Sequence, residues 1–234
     1  EGINIQEIDH LLEIGPGKGA MTSLLLEKCE SLTAIEIDKD LIRFLKKTYE
    51  DRKNFNLIEK DILLYDPKEL VRVNKLIGNI PYNISTPIIE WIIDNKSSFD
   101  EIFLMLQKEF GNRCVAQPNT KSYGRLSIFV QCFFDVTVIR EVDKSSFTPS
   151  PKVQSIFLKL IPKVSDKTPN SILMKNLSIL TREAFSKRRK LITNSLKSFF
   201  TEEDLVNLGI ERKSRPENLS VETYIKLAKS IQSG

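Results

Sequence analysis

The chain passes from an apolar run into a glycine-rich loop at Leu11-Leu12-Glu13-Ile14-Gly15-Pro16-Gly17-Lys18-Gly19. An apolar run, such a loop and a following helical pattern predict a strand, a turn and a helix. Glycines at this turn let the backbone approach a ligand closely. The spacing is G-x-G-x-G with Ala20 in the sixth position, which departs from the G-x-G-x-x-G pattern of dinucleotide-binding proteins. This spacing argues against a pyrophosphate site and remains compatible with a nucleoside that carries a short amino-acid tail.

The first half of the chain alternates short apolar runs with longer helical patterns, which is typical of βαβ units. The fold class that this alternation predicts is α/β, with a doubly wound, mostly parallel sheet. The last two predicted strands are joined by a proline-bearing loop at Phe147–Pro151, so we expect them to lie antiparallel at one sheet edge. The predicted strands are Leu11–Ile14, Leu32–Ile37, Phe55–Glu59, Leu76–Gly78, Ile102–Leu106, Val136–Ile139 and Ser155–Ile161; the predicted helices are Ala20–Cys29, Lys39–Tyr49, Thr86–Asn95 and one through Leu126–Phe133.

The C-terminal part differs from the rest in both pattern and charge. Residues 1–162 carry 21 basic and 23 acidic side chains, a net charge of −2, whereas residues 163–234 carry 14 and 8, a net charge of +6. A small basic helical domain over residues 164–234 is therefore expected to face a polyanion, beside a catalytic domain over residues 1–163. Its predicted helices are Ser171–Phe185, Arg189–Phe200, Thr201–Leu208 and Ser220–Ile231.

Composition excludes several classes of protein. The chain has 234 residues, of which 41% are hydrophobic and 28% charged, as in ordinary folded domains. No apolar run approaches the roughly 18 residues of a membrane span. Three cysteines without paired spacing and a single histidine, His10, argue against a disulfide framework and against a metal site. We expect a monomer in a reducing, cytoplasmic setting, without a bound metal.

Polar side chains follow the first four predicted strands. Glu13, Glu36, Asp61 and Asn79 each lie at or just after the carboxyl end of a strand, where ligands of open α/β sheets bind. A carboxylate at Glu36 can accept hydrogen bonds from both hydroxyls of a ribose, and Asp61 can accept one from an adenine amino group. Taken singly, each of these residues could equally be a surface polar group. Their order along the chain favours a nucleoside site.

The tetrapeptide Asn79-Ile80-Pro81-Tyr82 indicates the chemistry. An exocyclic amino group on a nucleobase is a poor nucleophile because its lone pair is delocalised into the ring. The Asn79 side-chain oxygen and a main-chain carbonyl of Ile80 or Pro81 can accept its two N–H bonds, while the Tyr82 ring can stack on the base. The alternative interpretation is an Asn-x-Pro turn between a strand and a helix.

The sequence resembles the rRNA adenine dimethyltransferases of the KsgA (RsmA) type, which methylate two neighbouring adenines near the 3′ end of small-subunit rRNA. The resemblance covers essentially the whole chain and implies the seven-stranded sheet of class I S-adenosylmethionine-dependent methyltransferases. The motifs that carry it are Glu13–Gly17, Glu36–Asp38, Asp61, Asn79–Pro87, Gln107–Glu109, Tyr123–Leu126, Phe147–Val153, Arg188–Lys190 and Asn194–Leu196.

The resemblance also assigns roles to individual residues. Gly15 and its neighbours would line the methionine part of S-adenosylmethionine, Glu36 would hold its ribose, and Asp61 with Ile62 its adenine ring. Asn79–Tyr82 would grip the target base, and Phe147 would stack on its far face. The expected cofactor-binding residues are Glu13, Gly15, Gly17, Glu36, Ile37, Asp61, Ile62 and Asn79.

Basic side chains are expected to contact rRNA phosphates, which adds salt-dependent affinity with little sequence information. The candidates are Arg125, Lys152, Arg182, Lys187, Arg188, Arg189 and Lys190, with Lys197, Arg212, Lys213 and Arg215 as further basic residues of the helical part. Their partner would be small-subunit rRNA in a pre-30S particle. Solvated helix faces would produce the same pattern.

Three alternatives remain open from the sequence. An Erm-type enzyme shares the Asn79–Tyr82 chemistry but modifies 23S rRNA, and a relative without catalysis would keep the fold and bind rRNA. The third alternative, a nicotinamide dehydrogenase, rests on the glycine loop alone.

Members of the rRNA adenine dimethyltransferase family usually carry a Gln-x-Phe-Leu segment before the first strand, which helps to enclose the cofactor. The sequence as it stands does not contain this segment, so we expect weakened cofactor affinity.

Overall fold

The computed structural model describes residues 3–69, 73–144, 153–163 and 170–231. The chain forms two compact units, one of Glu1–Gly111 with Thr137–Pro162 and the other of Asn112–Val136 with Lys163–Gly234. The predicted domain boundary after residue 163 lies within one residue of the start of the segment Lys163–Gly234. The prediction differs for Asn112–Val136, which it placed in the first domain and which the structure groups with the C-terminal helices.

A seven-stranded sheet forms the first unit, in the order β3-β2-β1-β4-β5-β7-β6. Pairing is parallel from β3 through β2, β1 and β4 to β5, while β7 runs antiparallel to β5. The predicted doubly wound, mostly parallel sheet is therefore confirmed. The strands are β1 His10–Ile14, β2 Ser31–Glu36, β3 Phe55–Glu59, β4 Lys75–Asn79, β5 Glu101–Gln107, β6 Phe134–Val142 and β7 Ser155–Pro162.

Helices connect the parallel strands as the hydrophobic periodicity requires. Helix α2 begins after Asp38, whose side chain accepts hydrogen bonds from the backbone of Asp40 and Leu41 and so caps the helix. A helix that the sequence analysis missed, α4, follows β5 directly, because no turn residue separates the two in the sequence. The connecting helices are α1 Ala20–Leu26, α2 Lys39–Thr48 and α3 Ser85–Asp94, and α4 is Lys108–Val115, which begins in this unit and continues past Gly111 into the second.

The core of the first unit packs helix α1 against the sheet. Its buried members include Leu25 and Leu26 from α1 and Leu11, Leu32, Ile77 and Phe103 from four strands. Cys29 lies in the same cluster, and Cys114 and Cys132 are also buried; none of the three forms a disulfide bond with a described residue. The cysteines thus act as small apolar side chains, as expected. None of the described helices has the length and apolar character needed to cross a bilayer.

A buried ion cluster lies at the amino-terminal end of the parallel strands. Lys75 Nζ contacts Oδ2 of Asp9 at 2.6 Å, the carbonyl of Asn4 at 2.8 Å and Oε2 of Glu101 at 3.3 Å. Asn74 adds a hydrogen bond to Oδ1 of Asp9 at 2.7 Å. These contacts satisfy charges that would be costly to bury alone.

The second unit consists of helices packed around two buried tyrosines. Tyr123 donates to the carbonyl of Leu219 and Tyr224 to that of Pro216, both at 2.9 Å. Because Tyr123 and α5 pack against the C-terminal helices, Asn112–Val136 belongs to this unit. Its helices are α5 Arg125–Phe133, α6 Asn170–Ser186, α7 Ile192–Ser195, α8 Glu202–Asn207 and α9 Val221–Ser230.

The predicted helix Arg189–Phe200 is wrong in extent. Only Ile192–Ser195 is α-helical, because residues 187–190 form a turn in which the Lys190 amide donates to the Lys187 carbonyl at 2.8 Å. The expected cap at Thr201 is confirmed: its side chain accepts from the Asp204 amide, and the Asp204 carboxylate accepts from the Thr201 amide.

Candidate active site

The carboxyl ends of four parallel strands bring the predicted site residues to one edge of the sheet. Glu13 precedes the end of β1 by one residue, Glu36 ends β2 and Asn79 ends β4, while Asp61 lies two residues beyond β3. Strand β1 lies between β2 and β4, so the strand order reverses there. In open α/β sheets this reversal opens the crevice in which ligands bind. The predicted position of the site is thus consistent with the topology.

The loop after β1 depends on its glycines. Gly15, Gly17 and Gly19 have φ angles of 61°, 59° and 78°, in the left-handed region that other residues rarely adopt. At Gly19 a side chain would also collide with the hydroxyl of Tyr49, which donates a 2.9 Å hydrogen bond to the Gly19 carbonyl. Nothing lies within 4 Å of a Cβ built at Gly15 or Gly17. The loop therefore keeps open space beside its first two glycines.

Glu13 is a fully buried carboxyl group with one oxygen in use. Thr22 donates a 2.7 Å hydrogen bond to its Oε2, whereas Oε1 has no partner among the described residues. Burial raises the pKa of Glu13 to about 7, and the Thr22 hydrogen bond opposes that rise. A buried acceptor without a donor costs free energy unless a ligand supplies one. The ammonium group of a methionine moiety has donors of the required kind.

Glu36 keeps one oxygen available in a similar way. Its Oε1 accepts from the amides of Ile37 at 2.8 Å and Asp38 at 3.0 Å, which fixes the carboxylate at the end of β2. Its Oε2 has a single long contact of 3.4 Å, with the amide of Gly17. This oxygen can accept hydrogen bonds from ribose hydroxyls, as the sequence analysis expected.

Side chains suited to an adenine ring stand beside these carboxylates in the chain. Ile37, directly after Glu36, is 66% exposed, an unusual position for a large apolar side chain at a strand end. Asp61 caps the short 3₁₀ turn Ile62–Leu64 by accepting from the Leu63 amide at 3.0 Å through Oδ1. Ile62 is buried. These residues, the unpartnered oxygen of Glu13 and the weakly engaged Oε2 of Glu36 fit a nucleoside that carries an amino-acid tail.

The segment after β4 offers two hydrogen-bond acceptors. Asn79 is exposed, and its side chain makes no hydrogen bond with the described residues. The Pro81 carbonyl already accepts from the Ile84 amide at 3.2 Å and from Ser85 Oγ at 3.3 Å. The Ile80 amide donates to the Met105 carbonyl at 3.0 Å, and no described residue donates to the Ile80 carbonyl. Of the two carbonyls that the sequence analysis named, that of Pro81 is thus engaged by described residues, whereas Ile80 is buried and its carbonyl accepts from none of them.

Tyr82 and Phe147 are the two aromatic side chains that the sequence analysis assigned to the target base. Phe147 lies outside the described residues, as does Lys152, so their roles remain predictions. Tyr82 begins the 3₁₀ turn Tyr82–Ile84, which places its backbone next to Pro81; nothing further is described for it.

The sequence analysis missed Thr22, the residue that holds Glu13. A signal was present in the sequence, because Thr22 shares with Leu25 and Leu26 the buried face of α1 and a polar residue on such a face needs a partner. Tyr49 was also missed as the support of Gly19. Its separation of 30 residues from the glycine loop gives no local signal.

The predicted phosphate-binding residues of the second unit differ in exposure. Arg125, Arg182, Lys187, Arg189 and Lys190 are exposed. Arg188 is half-buried, and its guanidinium binds Glu217 and the carbonyls of Thr120 and Lys121. Arg188 is thus the candidate that is already engaged within its own unit.

The doubly wound sheet, with a glycine loop at β1 and free acceptors after β4, defines the class: a Rossmann-like methyltransferase fold. Over residues 1–233 the sequence matches the family model described as ribosomal RNA adenine dimethylase. The chain belongs to this family of methyltransferases, and membership implies the use of S-adenosylmethionine. The resemblance drawn from the motifs is confirmed.

This chain is similar in sequence to curated proteins and in structure to solved crystal structures. The ribosomal RNA small subunit methyltransferase A of Coxiella burnetii is 39% identical over 229 residues, which cover 97% of this chain and 88% of that protein. The crystal structure of a dimethyladenosine transferase from Plasmodium falciparum has a TM-score of 0.80 at 32% identity, covering 95% of this chain and 90% of that one. The 23S rRNA methyltransferase ErmE has a TM-score of 0.74 at 23% identity, covering 97% and 93%, a likeness of fold alone.

Proposed function

We propose that this protein transfers methyl groups to N6 of two adjacent adenosines near the 3′ end of small-subunit rRNA, in the compartment where small ribosomal subunits are assembled. The observation that carries the proposal is the exposed Asn79 side chain at the carboxyl end of β4, next to the Ile80 carbonyl, since no described residue donates a hydrogen bond to either acceptor. The substrate class follows the name of the Coxiella burnetii relative, small subunit methyltransferase A.

S-Adenosylmethionine supplies an electrophilic methyl group on a sulfonium, so the amino group needs alignment more than a strong base. Glu13 would bind the ammonium of its methionine part, Glu36 the ribose hydroxyls, and Ile37, Asp61 and Ile62 the adenine. The orphan oxygen of Glu13 supports this assignment, because it lacks a donor in the described structure.

Asn79 and Ile80 would act on the target base. Two acceptors, the amide oxygen of Asn79 and the Ile80 carbonyl, hold the two N–H bonds of the adenine amino group and polarise its nitrogen toward the methyl donor. The ring of Tyr82 and, on the far face, that of Phe147 would hold the extruded base between them. The product proton can leave to solvent after transfer, which requires no histidine.

The exposed basic side chains would hold the rRNA through its phosphates. They are Arg125, Arg182, Lys187, Arg189 and Lys190, with Lys152 as a further predicted contact. Such contacts position a folded RNA, whose shape supplies the specificity.

The test is methyl transfer from labelled S-adenosylmethionine to undermethylated 30S and 50S particles, followed by digestion and mass spectrometry of the nucleosides. We expect N6,N6-dimethyladenosine in 16S rRNA. Label confined to 23S rRNA would overturn the proposal in favour of Erm-type activity. Asn79→Ala should lower the transfer rate by about 100-fold or more with rRNA binding largely kept, while Asn83→Ala, an exposed asparagine in the following turn, should change it little.

A further inference from the structure

Arg188 has all three of its terminal nitrogen groups engaged. Nε donates to Oε2 of Glu217 at 2.7 Å, Nη1 to the Lys121 carbonyl at 3.1 Å and Nη2 to the Thr120 carbonyl at 3.2 Å. The planar guanidinium matches three acceptors in a fixed arrangement, which an ammonium cannot do. This one side chain therefore ties the turn at residues 187–190 to two other segments of the second unit.

The acceptors are themselves held in place. The Glu217 carbonyl accepts from the Asn119 amide at 2.8 Å, and Asn119 Oδ1 accepts from Asn218 at 2.7 Å. Asn119 has a φ angle of 67°, and no other non-glycine residue in the described part of the chain has a positive φ. Asparagine adopts this left-handed region more readily than most residues, and here both its amide and its side chain are hydrogen-bonded. Arg188 thus binds two segments that are also hydrogen-bonded to each other.

The basic residues next to Arg188 are exposed to solvent and are not engaged in ion pairs within the described structure. Lys187, Arg189 and Lys190 are exposed, and none forms an ion pair with a described residue. The turn is closed by the hydrogen bond from the Lys190 amide to the Lys187 carbonyl at 2.8 Å. Three exposed cations thus lie in a turn whose fourth cation, the partly exposed Arg188, is hydrogen-bonded to other segments of the unit.

We propose that Arg188 is a positioning residue, which fixes the turn so that Lys187, Arg189 and Lys190 meet the rRNA backbone already ordered. This inference rests on the proposed function, since it presumes that the exposed cations contact phosphate. Pre-ordering of the turn reduces the conformational entropy that binding must otherwise pay. Arg188 itself then makes no contact with phosphate.

Charge-conserving variants separate positioning from direct contact. If Arg188 positions the turn, Arg188→Lys should weaken binding to 30S particles almost as much as Arg188→Gln, about five- to tenfold, because a lysine cannot span the three acceptors. Arg189→Lys should keep most of the affinity and Arg189→Gln should lose it. Retained affinity in Arg188→Lys, or no loss in Arg188→Gln, would overturn the proposal, as would an equal loss in Arg188→Lys and Arg189→Lys. Unchanged affinity in Arg189→Gln would instead count against the proposed phosphate contacts of the turn.

A substitution of Glu217 gives an independent check that leaves Arg188 unchanged. The direction in which it changes the affinity for 30S particles distinguishes the two roles. Glu217→Ala removes a negative charge, so binding should strengthen if Arg188 is thereby released toward phosphate. Positioning predicts the reverse, a weakening of about twofold or more, since the turn loses its anchor. Thermal unfolding of each variant confirms that it is folded, and stronger binding by Glu217→Ala would rule out the positioning role.

Discussion

Thr22 of α1 donates from Oγ1 to Oε2 of Glu13 in β1 at 2.7 Å, and both residues are fully buried on either side of the glycine loop. The pair leaves Oε1 of Glu13 without a donor among the described residues. Thr22 therefore orients the carboxyl group while one oxygen stays available. This arrangement lowers the stability of the cofactor-free protein, because a carboxylate buried with a single neutral donor is poorly solvated.

Glu13 should make the apoprotein less stable as the pH rises. Burial raises the folded-state pKa of Glu13 from 4.5 to about 7, so its stabilising contribution is fully present below pH 4.5 and is lost as the pH rises through about 7. Glu13→Gln should remove that loss, so that the variant gains on the order of 2–3 kcal/mol relative to wild type between pH 4.5 and pH 8.

Urea unfolding of the cofactor-free protein at both pH values measures this difference. Glu90→Gln, a substitution at an exposed position of α3, serves as the control and should run parallel to wild type. Parallel pH profiles for Glu13→Gln and wild type would contradict the assignment. The variant should also bind S-adenosylmethionine more weakly, which calorimetry can measure.

The glycine loop should respond unequally to alanine. A Cβ at Gly19 would lie 2.5 Å from the Tyr49 hydroxyl in addition to the strain of a positive φ, whereas at Gly15 only the strain applies. We expect Gly15→Ala to cost about 1 kcal/mol of unfolding free energy and Gly19→Ala about 2–3 kcal/mol. Adding Tyr49→Phe removes the nearest atom, so the double variant should be less destabilised than the sum of the single ones. If the losses of unfolding free energy in Gly19→Ala and Tyr49→Phe simply add in the double variant, the Tyr49 hydroxyl is not the atom that opposes the new methyl group.

Lys75 should be costly to replace because its partners are buried. Burial alone would raise the pKa of Asp9, but hydrogen bonds from the Gln6 backbone, Lys75 and Asn74 outweigh it and lower the pKa. Asp9 therefore contributes stability above its ordinary pKa of 3.8, and this is lost as the pH falls through the lower, folded-state value. Lys75→Met should cost about 3–5 kcal/mol at pH 7.

The same substitution has a pH signature. Without Lys75 the carboxyl group of Asp9 protonates more readily, so the destabilisation by Lys75→Met should shrink as the pH falls from 7 to 4. The double variant Asp9→Asn/Lys75→Met should recover part of the loss at pH 7. Chemical denaturation at the two pH values measures both effects, and a penalty independent of pH would argue against an unpaired Asp9 as its cause.

Arg189 and Lys190 should determine how steeply rRNA binding depends on salt. Each phosphate contact contributes about 0.7–0.9 to the slope of log Kd against log salt concentration. Arg189→Gln and Lys190→Gln should each reduce the slope by about that amount, whereas Lys28→Gln, an exposed lysine after α1, should leave it unchanged. Filter binding to 30S particles over a range of KCl concentrations provides the measurement. If Arg189→Gln and Lys190→Gln have the same slope as Lys28→Gln, Arg189 and Lys190 do not contact phosphate.

Local sequence was a good guide wherever a side chain's role depends on its place along one strand. The predicted positions of β1 to β5 agree with the structure to within one residue at each end, because buried strands read as apolar runs. The row of Glu13, Glu36, Asp61 and Asn79 followed from the rule that parallel strands end at one edge. Helix α4 was missed because no turn residue separates it from β5, and the extent of α7 was missed because residues 187–190 form a turn.

The primary structure alone was enough for the sheet and the glycine loop, since periodicity and backbone permissiveness are properties of short segments. The chemistry of Asn79 stays a prediction drawn from its functional group. Which cation faces outward and which carbonyl stays free were decided only in three dimensions. Arg188 resembles Arg189 in the chain, yet only Arg188 meets acceptors from segments about 30 and 67 residues away. The side chains are chemically identical, so their difference comes from the neighbours that folding supplies.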